Sequence, residues 1–353
     1  LLPRLPVIGE QVNGAFLAVK VGPIQFQPAE FAKLAIIVFL ASYLRDTRDV
    51  LVRSRLKPLT PTATALLYGI PAALFVLVLL ALDLRPVVAV LLGVFVLSLV
   101  TLIRERPSLK HFGPLLLIWG AAMLMLVFIR DLGSSLMFFG AFLALLYVAT
   151  ARLSIVGVGA TLFLGGAAFL ASTVGHVQSR IDTWLDPFDP VLYEAQGGSF
   201  QIAQSLFAQA DGGLFGQGFG RALLELPGGG NIIPAAHTDL IYAVITDELG
   251  LFGAAGLILV YLLFVARGFK TALVASDGFS KLLATGLTAV FALQVFVIVG
   301  GVTKVIPLTG VTLPFVSYGG SSILANMVLL ALLLIVSDHA RRDRARGRSG
   351  GLV

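Results

Sequence analysis

Residues 231–250 read NIIPAAHTDLIYAVITDELG, and the fold is decided by how this stretch passes from polar loop into apolar helix. His237, Thr238 and Asp239 stand together at the edge, and Asp247 and Glu248 follow two to three helical turns later. Only 12% of the chain is charged and 58% is hydrophobic, against about 25% charged in a soluble domain. Such a chain lacks the polar residues to cover a water-facing surface. Its apolar runs are long enough to cross a bilayer, which takes about 20 residues each. The fold class is therefore an all-α polytopic membrane protein. The short alternating strands of an outer-membrane barrel are not seen. With no cysteine, disulfides and thiolate metal sites are excluded. The net charge of +6 sits in short loops, where it reports membrane orientation rather than a nucleic-acid partner.

Working outward from 231–250, about nine spans are expected at 28–45, 64–83, 86–103, 111–129, 133–150, 153–173, 239–266, 282–301 and 320–337. One connection is long, 175–238. Most of the 25 Lys and Arg fall on alternate connections: Arg45 to Lys57, Arg104 to Lys110, Arg152, Arg267 to Lys281, and the tail 339–353. By the positive-inside rule that side is cytoplasmic. The loop 175–238 and the HTD string then lie on the extracytoplasmic face. The basic tail reads as a solvated end, with contact to membrane lipid headgroups as the second reading.

Within the long loop, Ile202, Leu206 and Phe207 recur at helical spacing, with Gln201, Gln204 and Gln209 on other faces. The pattern predicts a short amphipathic helix at the membrane surface. The glycine run 212–220 ends it and allows close backbone approach to a ligand. Asp239 is expected at the start of the re-entering helix. There it, or Thr238, serves as a cap, or Asp239 acts as a catalytic base tuned by His237. Glu30 and Lys33 share a helix face. They form either a structural ion pair or the wall of a headgroup pocket. Arg180, Arg221 and Lys304 lie on the side that the charge rule disfavours. Together they would suit a pyrophosphate, whereas singly each reads as an interface anchor. Asp182, Asp186 and Asp189 could hold a divalent cation, magnesium or manganese, but the Asp-Pro pairs are equally good turn formers. No P-loop, HExxH or GxSxG string is present.

Six segments in order resemble one family, the SEDS glycosyltransferases (RodA/FtsW) of bacterial wall synthesis. They are FQPAEFAKLA (26–35), RDLGSSL (130–136), RIDTWLDPFDP (180–190), GGLFGQGFG (212–220), HTDLIYAVITDELG (237–250) and PLTGVTLPFVSYGGSS (307–322). The resemblance spans almost the whole chain. It implies a peptidoglycan glycosyltransferase that polymerises lipid II, with inversion, at the outer face of the bacterial cytoplasmic membrane. It also implies a class B penicillin-binding protein transpeptidase as partner. The family's essential acid falls on Asp239, its Glu and Lys on Glu30 and Lys33, and its Arg before the LDP string on Arg180.

Three departures stand out. The three helices that precede FQPAEFAKLA in the family are absent, save the end of the third at Leu1–Pro6, so the chain reads as a fragment. NGAFLAV (13–19) lacks the family's Arg and Trp. The hairpin 64–103 reads as two inserted helices within one membrane domain, 1–353. A lipid II flippase and a non-catalytic scaffold are the competing functions. The first needs a hydrophilic path, for which Glu30, Lys33, Gln294 and Asn326 are thin provision.

Overall fold

The structure is a computed structural model. It describes residues 9–12, 15–21, 24–53, 120, 132–151, 156–157, 159–160, 163, 165, 175–195, 198–222, 233 and 236–349. In chain order, three strands come first: β1 (Gly9–Val12), β2 (Ala15–Val21) and β3 (Ile24–Phe26). Five long helices follow: α1 (Pro28–Arg53), α2 (Leu132–Thr150), α6 (Ile241–Val274), α7 (Gly278–Val302) and α8 (Gly320–Ser349). Between α2 and α6 lie three shorter ones: α3 (Gly175–Leu185), α4 (Pro190–Glu194) and α5 (Phe200–Gly212).

α7 is the axis of the bundle. It packs against α1, α2, α6 and α8, and it is apolar on all sides because it has neighbours on most of them. α1 meets it with a stripe at three-to-four-residue spacing: Leu34, Ile37, Leu40, Ala41 and Leu44, all buried. Glu30 and Lys33 continue that stripe upward, so the helical period carries these two charges inward. α6 shows the opposite balance. It is the most apolar of the spans, yet Leu251, Phe252, Leu259, Val260, Leu262 and Leu263 are exposed. An apolar helix whose outer face meets no protein is covered by lipid. Together with α2, α7 and α8 it makes four helices long and apolar enough to cross a membrane among the described residues. The molecule is an integral membrane protein.

Five of the nine expected spans are matched by helices here, one of them broken. The spans 64–83, 86–103 and 111–129, and with them the hairpin 64–103, lie outside the described residues except Gly120. Of 153–173 only isolated helical residues are described. Three differences have plain causes. NGAFLAV is not a featureless loop: residues 15–21 form β2, the middle of an antiparallel meander with Val12 opposite Ala15 and Val19 opposite Phe26. Asn-Gly separates β1 from β2 in the sequence, a hairpin signal. The second difference is the basic tail, where helix continues to Ser349. Ala and Arg are strong helix formers, and Arg342 pairs with Asp338 one turn earlier at 2.7 Å. The third is α5, which ends at the glycine run as expected but packs against α6. Ile202, Ala203, Ser205, Ala208 and Gly212 are its buried residues, whereas Phe207 is exposed and meets the ring of Phe188 at 5.5 Å.

The glycine run 212–220 has an unexpected partner. α6 is broken at Gly250, where φ is 67°. Around such a break the carbonyls below and the N–H groups above lose their helical partners. Residues 213–218 supply replacements. Gln217 N–H donates to Asp247 O at 2.8 Å and Gly218 N–H to Glu248 O at 3.0 Å. From the far side, Leu251 N–H donates to Gly213 O at 2.9 Å and Phe252 N–H to Leu214 O at 3.2 Å. The approach is so close that a Cβ on Gly216 would stand 2.1 Å from Glu248 O. The glycines therefore let backbone reach backbone rather than a ligand, and they clamp the two halves of α6.

Candidate active site

The segment 303–319, which joins α7 to α8, collects the candidate residues. It leaves α7 through a tight turn: Lys304 has φ 62°, and Val305 N–H donates to Gly300 O at 2.7 Å. A lysine in the left-handed region costs about 1 kcal/mol, so the turn is held by what surrounds it. α3 lies across it. Trp184 Nε1 donates to Lys304 O at 3.0 Å, Lys304 Nζ to Leu185 O at 3.3 Å, and Arg180 Nη1 to Leu308 O at 2.6 Å.

Two residues beyond Leu308, the segment meets Asp239. Gly310 has φ 74°, and a Cβ built on it would be 3.4 Å from Asp239 Oδ2. Asp239 is thus half-buried against the backbone at Gly310. It does not stand in the first turn of α6, nor is it the cap. The N-cap is Leu240, which makes no side-chain cap bond, and the helix begins at Ile241. Residues 236–240 are a turn fixed from the other chain segment. Ser317 Oγ donates to Thr238 O at 2.7 Å and accepts from Leu313 N–H at 2.7 Å. Tyr318 N–H donates to His237 O at 2.8 Å. The His237 ring is exposed and meets Tyr318 edge-on, 5.8 Å between centroids.

Beneath the segment runs a buried polar chain. Lys33 Nζ donates to Glu30 Oε2 at 2.7 Å and to Gln294 Oε1 at 2.8 Å. Gln294 Nε2 donates to Thr312 O at 2.9 Å, and the Thr312 hydroxyl shares a 2.6 Å hydrogen bond with Ser322 Oγ. Lys33 is 2% exposed and Glu30 7%, so both charges are satisfied within the protein.

The sequence-derived candidates therefore separate. Asp239, His237, Arg180 and Lys304 come to one segment, with Glu30 and Lys33 below it. Arg221 is exposed and its N–H donates to Gly218 O at 3.1 Å, beside the clamp on α6. Asp189 caps α4, accepting from Val191 N–H at 2.8 Å and Leu192 N–H at 3.2 Å. Among the described residues no three His, Asp or Glu side chains gather in a metal-holding group. Sequence reasoning gave no site role to Thr312, Ser317 or Ser322, and named Gln294 only among the sparse polar groups of the helix interiors. The available signal was Gln294 itself, an amide within the apolar run FALQVFVIV, where a polar group demands a partner.

Fold and site define a polytopic membrane protein that gathers a carboxylate, a guanidinium and an ammonium on one connecting segment. The chain belongs to the family described as FTSW_RODA_SPOVE, cell cycle protein, whose model matches residues 1–342. It is 39% identical to the peptidoglycan glycosyltransferase RodA of Mycobacterium tuberculosis (strain ATCC 25618 / H37Rv) over 347 residues, 98% of this chain and 62% of the relative. It thus spans somewhat under two thirds of that protein's length. It is 29% identical to stage V sporulation protein E of Bacillus subtilis (strain 168), over 97% of this chain and 76% of that protein. One solved structure, "Structural coordination of polymerization and crosslinking by a peptidoglycan synthase complex", has a chain that superposes with a TM-score of 0.56. Its identity is 24%, covering 94% of this chain and 76% of the other, and it supports the fold.

Proposed function

We propose that the protein is a peptidoglycan glycosyltransferase that polymerises lipid II at the extracytoplasmic face of the bacterial cytoplasmic membrane, with Asp239 as general base. The observation that carries this reading is the meeting of Asp239 and Arg180 on adjacent backbone, at Gly310 and Leu308. Strand growth joins an acceptor sugar's 4-hydroxyl oxygen to the donor's anomeric carbon. The bond from that carbon to the pyrophosphate oxygen breaks. The reaction needs a base for the hydroxyl proton and positive charge for the departing pyrophosphate. Asp239 takes the proton, while Arg180 and Lys304, flanking the same segment, face the leaving group. A single displacement inverts the anomeric centre. His237, exposed beside the acid, contacts the sugar headgroup. Glu30 and Lys33 serve from beneath, holding the segment rather than gripping substrate.

A flippase is less well supported. Glu30, Lys33 and Gln294 are bonded to one another and to the 303–319 backbone, which is a closed network rather than a hydrophilic path. Family membership supports a class B penicillin-binding protein transpeptidase as partner, in cell elongation or division. Purified full-length protein with that partner and lipid II tests the reading. Asp239→Asn is expected to abolish strand formation while leaving lipid II binding. Strands made at the wild-type rate by the variant would exclude Asp239 as the base. Loss of translocation with polymerisation intact would favour the flippase, and wild-type protein that neither makes strands nor moves lipid II the scaffold.

A further inference from the structure

We propose that Gln294 is a positioning residue, which sets the height of the segment carrying Gly310 and thereby the placement of the Asp239 carboxylate. This rests on the reading of Asp239 as the base.

An ammonium offers only donors and a backbone carbonyl only accepts. Linking the two requires a side chain that accepts at one atom and donates at another. Gln294 does so: Oε1 accepts from Lys33 Nζ at 2.8 Å, and Nε2 donates to Thr312 O at 2.9 Å. Its partners fix the orientation of its amide, because reversing it would set N–H against N–H and oxygen against oxygen. An ionised glutamate of the same length would satisfy Lys33 but turn an oxygen on the Thr312 carbonyl. Leucine would satisfy neither.

The placement gives this link its leverage. Gln294 is fully buried in the middle of α7, the best-packed helix of the bundle, and Lys33 is itself fixed by Glu30 at 2.7 Å. Thr312 lies two residues from Gly310. The segment has further ties: Lys304 O to Trp184, Leu308 O to Arg180, Pro314 O to Tyr261, Ser317 to Thr238 O and Tyr318 N–H to His237 O. Most of them belong to elements that carry candidate substrate-facing groups. Gln294 and the buried Tyr261 are the ties that come from the core, and Gln294 is the one nearer Gly310. The remainder of α7 is held by apolar contacts along Leu287, Val290, Phe291, Val297 and Ile298, so the bundle does not depend on this one amide. Losing it frees the segment at Thr312 and lets Gly310 drift against Asp239. In a positioned reaction a displacement of about 1 Å costs about 10²-fold in rate.

The test compares wild type, Gln294→Glu, Gln294→Leu and Asp239→Asn as full-length proteins in proteoliposomes. Steady-state polymerisation of lipid II is measured alongside backbone hydrogen exchange. Both Gln294 variants are expected to lose about 10²-fold in kcat with KM for lipid II unchanged. Exchange should quicken over 307–313 and stay at the wild-type level over 287–298. Unchanged kcat, or unchanged exchange over 307–313, would overturn the proposal. Faster exchange along α7 as well would also overturn it, by showing a merely structural role. Should wild-type protein make no strands, the glycosyltransferase reading fails instead; should Asp239→Asn make them normally, the reading of Asp239 as the base fails. The exchange arm still decides whether Gln294 holds the segment.

Discussion

Lys33 is among the largest fully buried side chains of the protein, and its ammonium sits inside a membrane helix bundle. Such a charge is tolerated only when paired and fully hydrogen-bonded. Removing one partner is therefore worse than removing both. Lys33→Met leaves the Glu30 carboxylate and the Gln294 carbonyl without their donor, and should lower stability by about 3–5 kcal/mol. Glu30→Gln combined with Lys33→Met removes both charges and should recover most of that loss. Thermal unfolding of the detergent-solubilised single and double variants reads the difference directly. The pair also shows what sequence could resolve at this scale. The three-residue spacing put Glu30 and Lys33 on one face and left two roles open, structural pair or substrate grip. Nothing local could choose between them, because the deciding partner, Gln294, is 261 residues away from Lys33.

Helix ends and breaks carry the element-scale predictions. Gly250 and Gly216 face each other across the clamp, and both have positive φ, 67° and 81°. A Cβ on Gly250 would stand 2.4 Å from Gly216 N, and one on Gly216 2.1 Å from Glu248 O. These neighbours are backbone and cannot rotate away. Gly250→Ala and Gly216→Ala should each cost more than about 1 kcal/mol, with faster proteolysis at 213–220 as the local signature. At the opposite end of α6, Asp277 caps α7 by accepting from Ser280 N–H at 2.9 Å. Partial burial pushes the Asp277 carboxyl up. The hydroxyl and N–H of Ser280 and the N–H of Phe279 outweigh that and hold it below the usual carboxylate range. A folded-state value below the unfolded one, about 3.9, stabilises the protein above that pH, and the contribution is lost as pH falls through the folded value. Asp277→Ala should lower the melting temperature at neutral pH, with the gap to wild type closing in acid. Of the two helix boundaries flanking this cap, the start of α7 was legible to within four residues from apolar periodicity, whereas α6 runs eight residues past the expected end at 266. The break at Gly250 was not legible, since a single glycine in an apolar run has several uses and its clamp is 30 to 40 residues upstream.

At the scale of the molecule, composition and run length were enough to give the polytopic helical class, because apolar runs of about 20 residues satisfy their backbone in a membrane as helices, whereas a barrel needs short alternating strands. The order of motifs was enough to give the family. Two things escaped. The meander at 9–26 escaped because its strands are only three to seven residues long, too short for a period to show beside the long apolar runs. The convergence on 303–319 was hidden because a loop has no period. PLTGVTLPFVSYGGSS was legible as a family string, but not as the backbone on which Arg180, Asp239 and Gln294 all bear. The broken helix α6 has one more consequence. Its 34 residues would make a rod of about 51 Å at about 1.5 Å per residue, far longer than a hydrocarbon layer of about 30 Å. The lower part, residues 251–274, spans roughly 36 Å on its own. Lipids of different chain length would be met by tilting that lower rod. The clamp at 213–218 grips both rods, so the upper rod and the turn that carries Asp239 follow that tilt instead of standing apart from it.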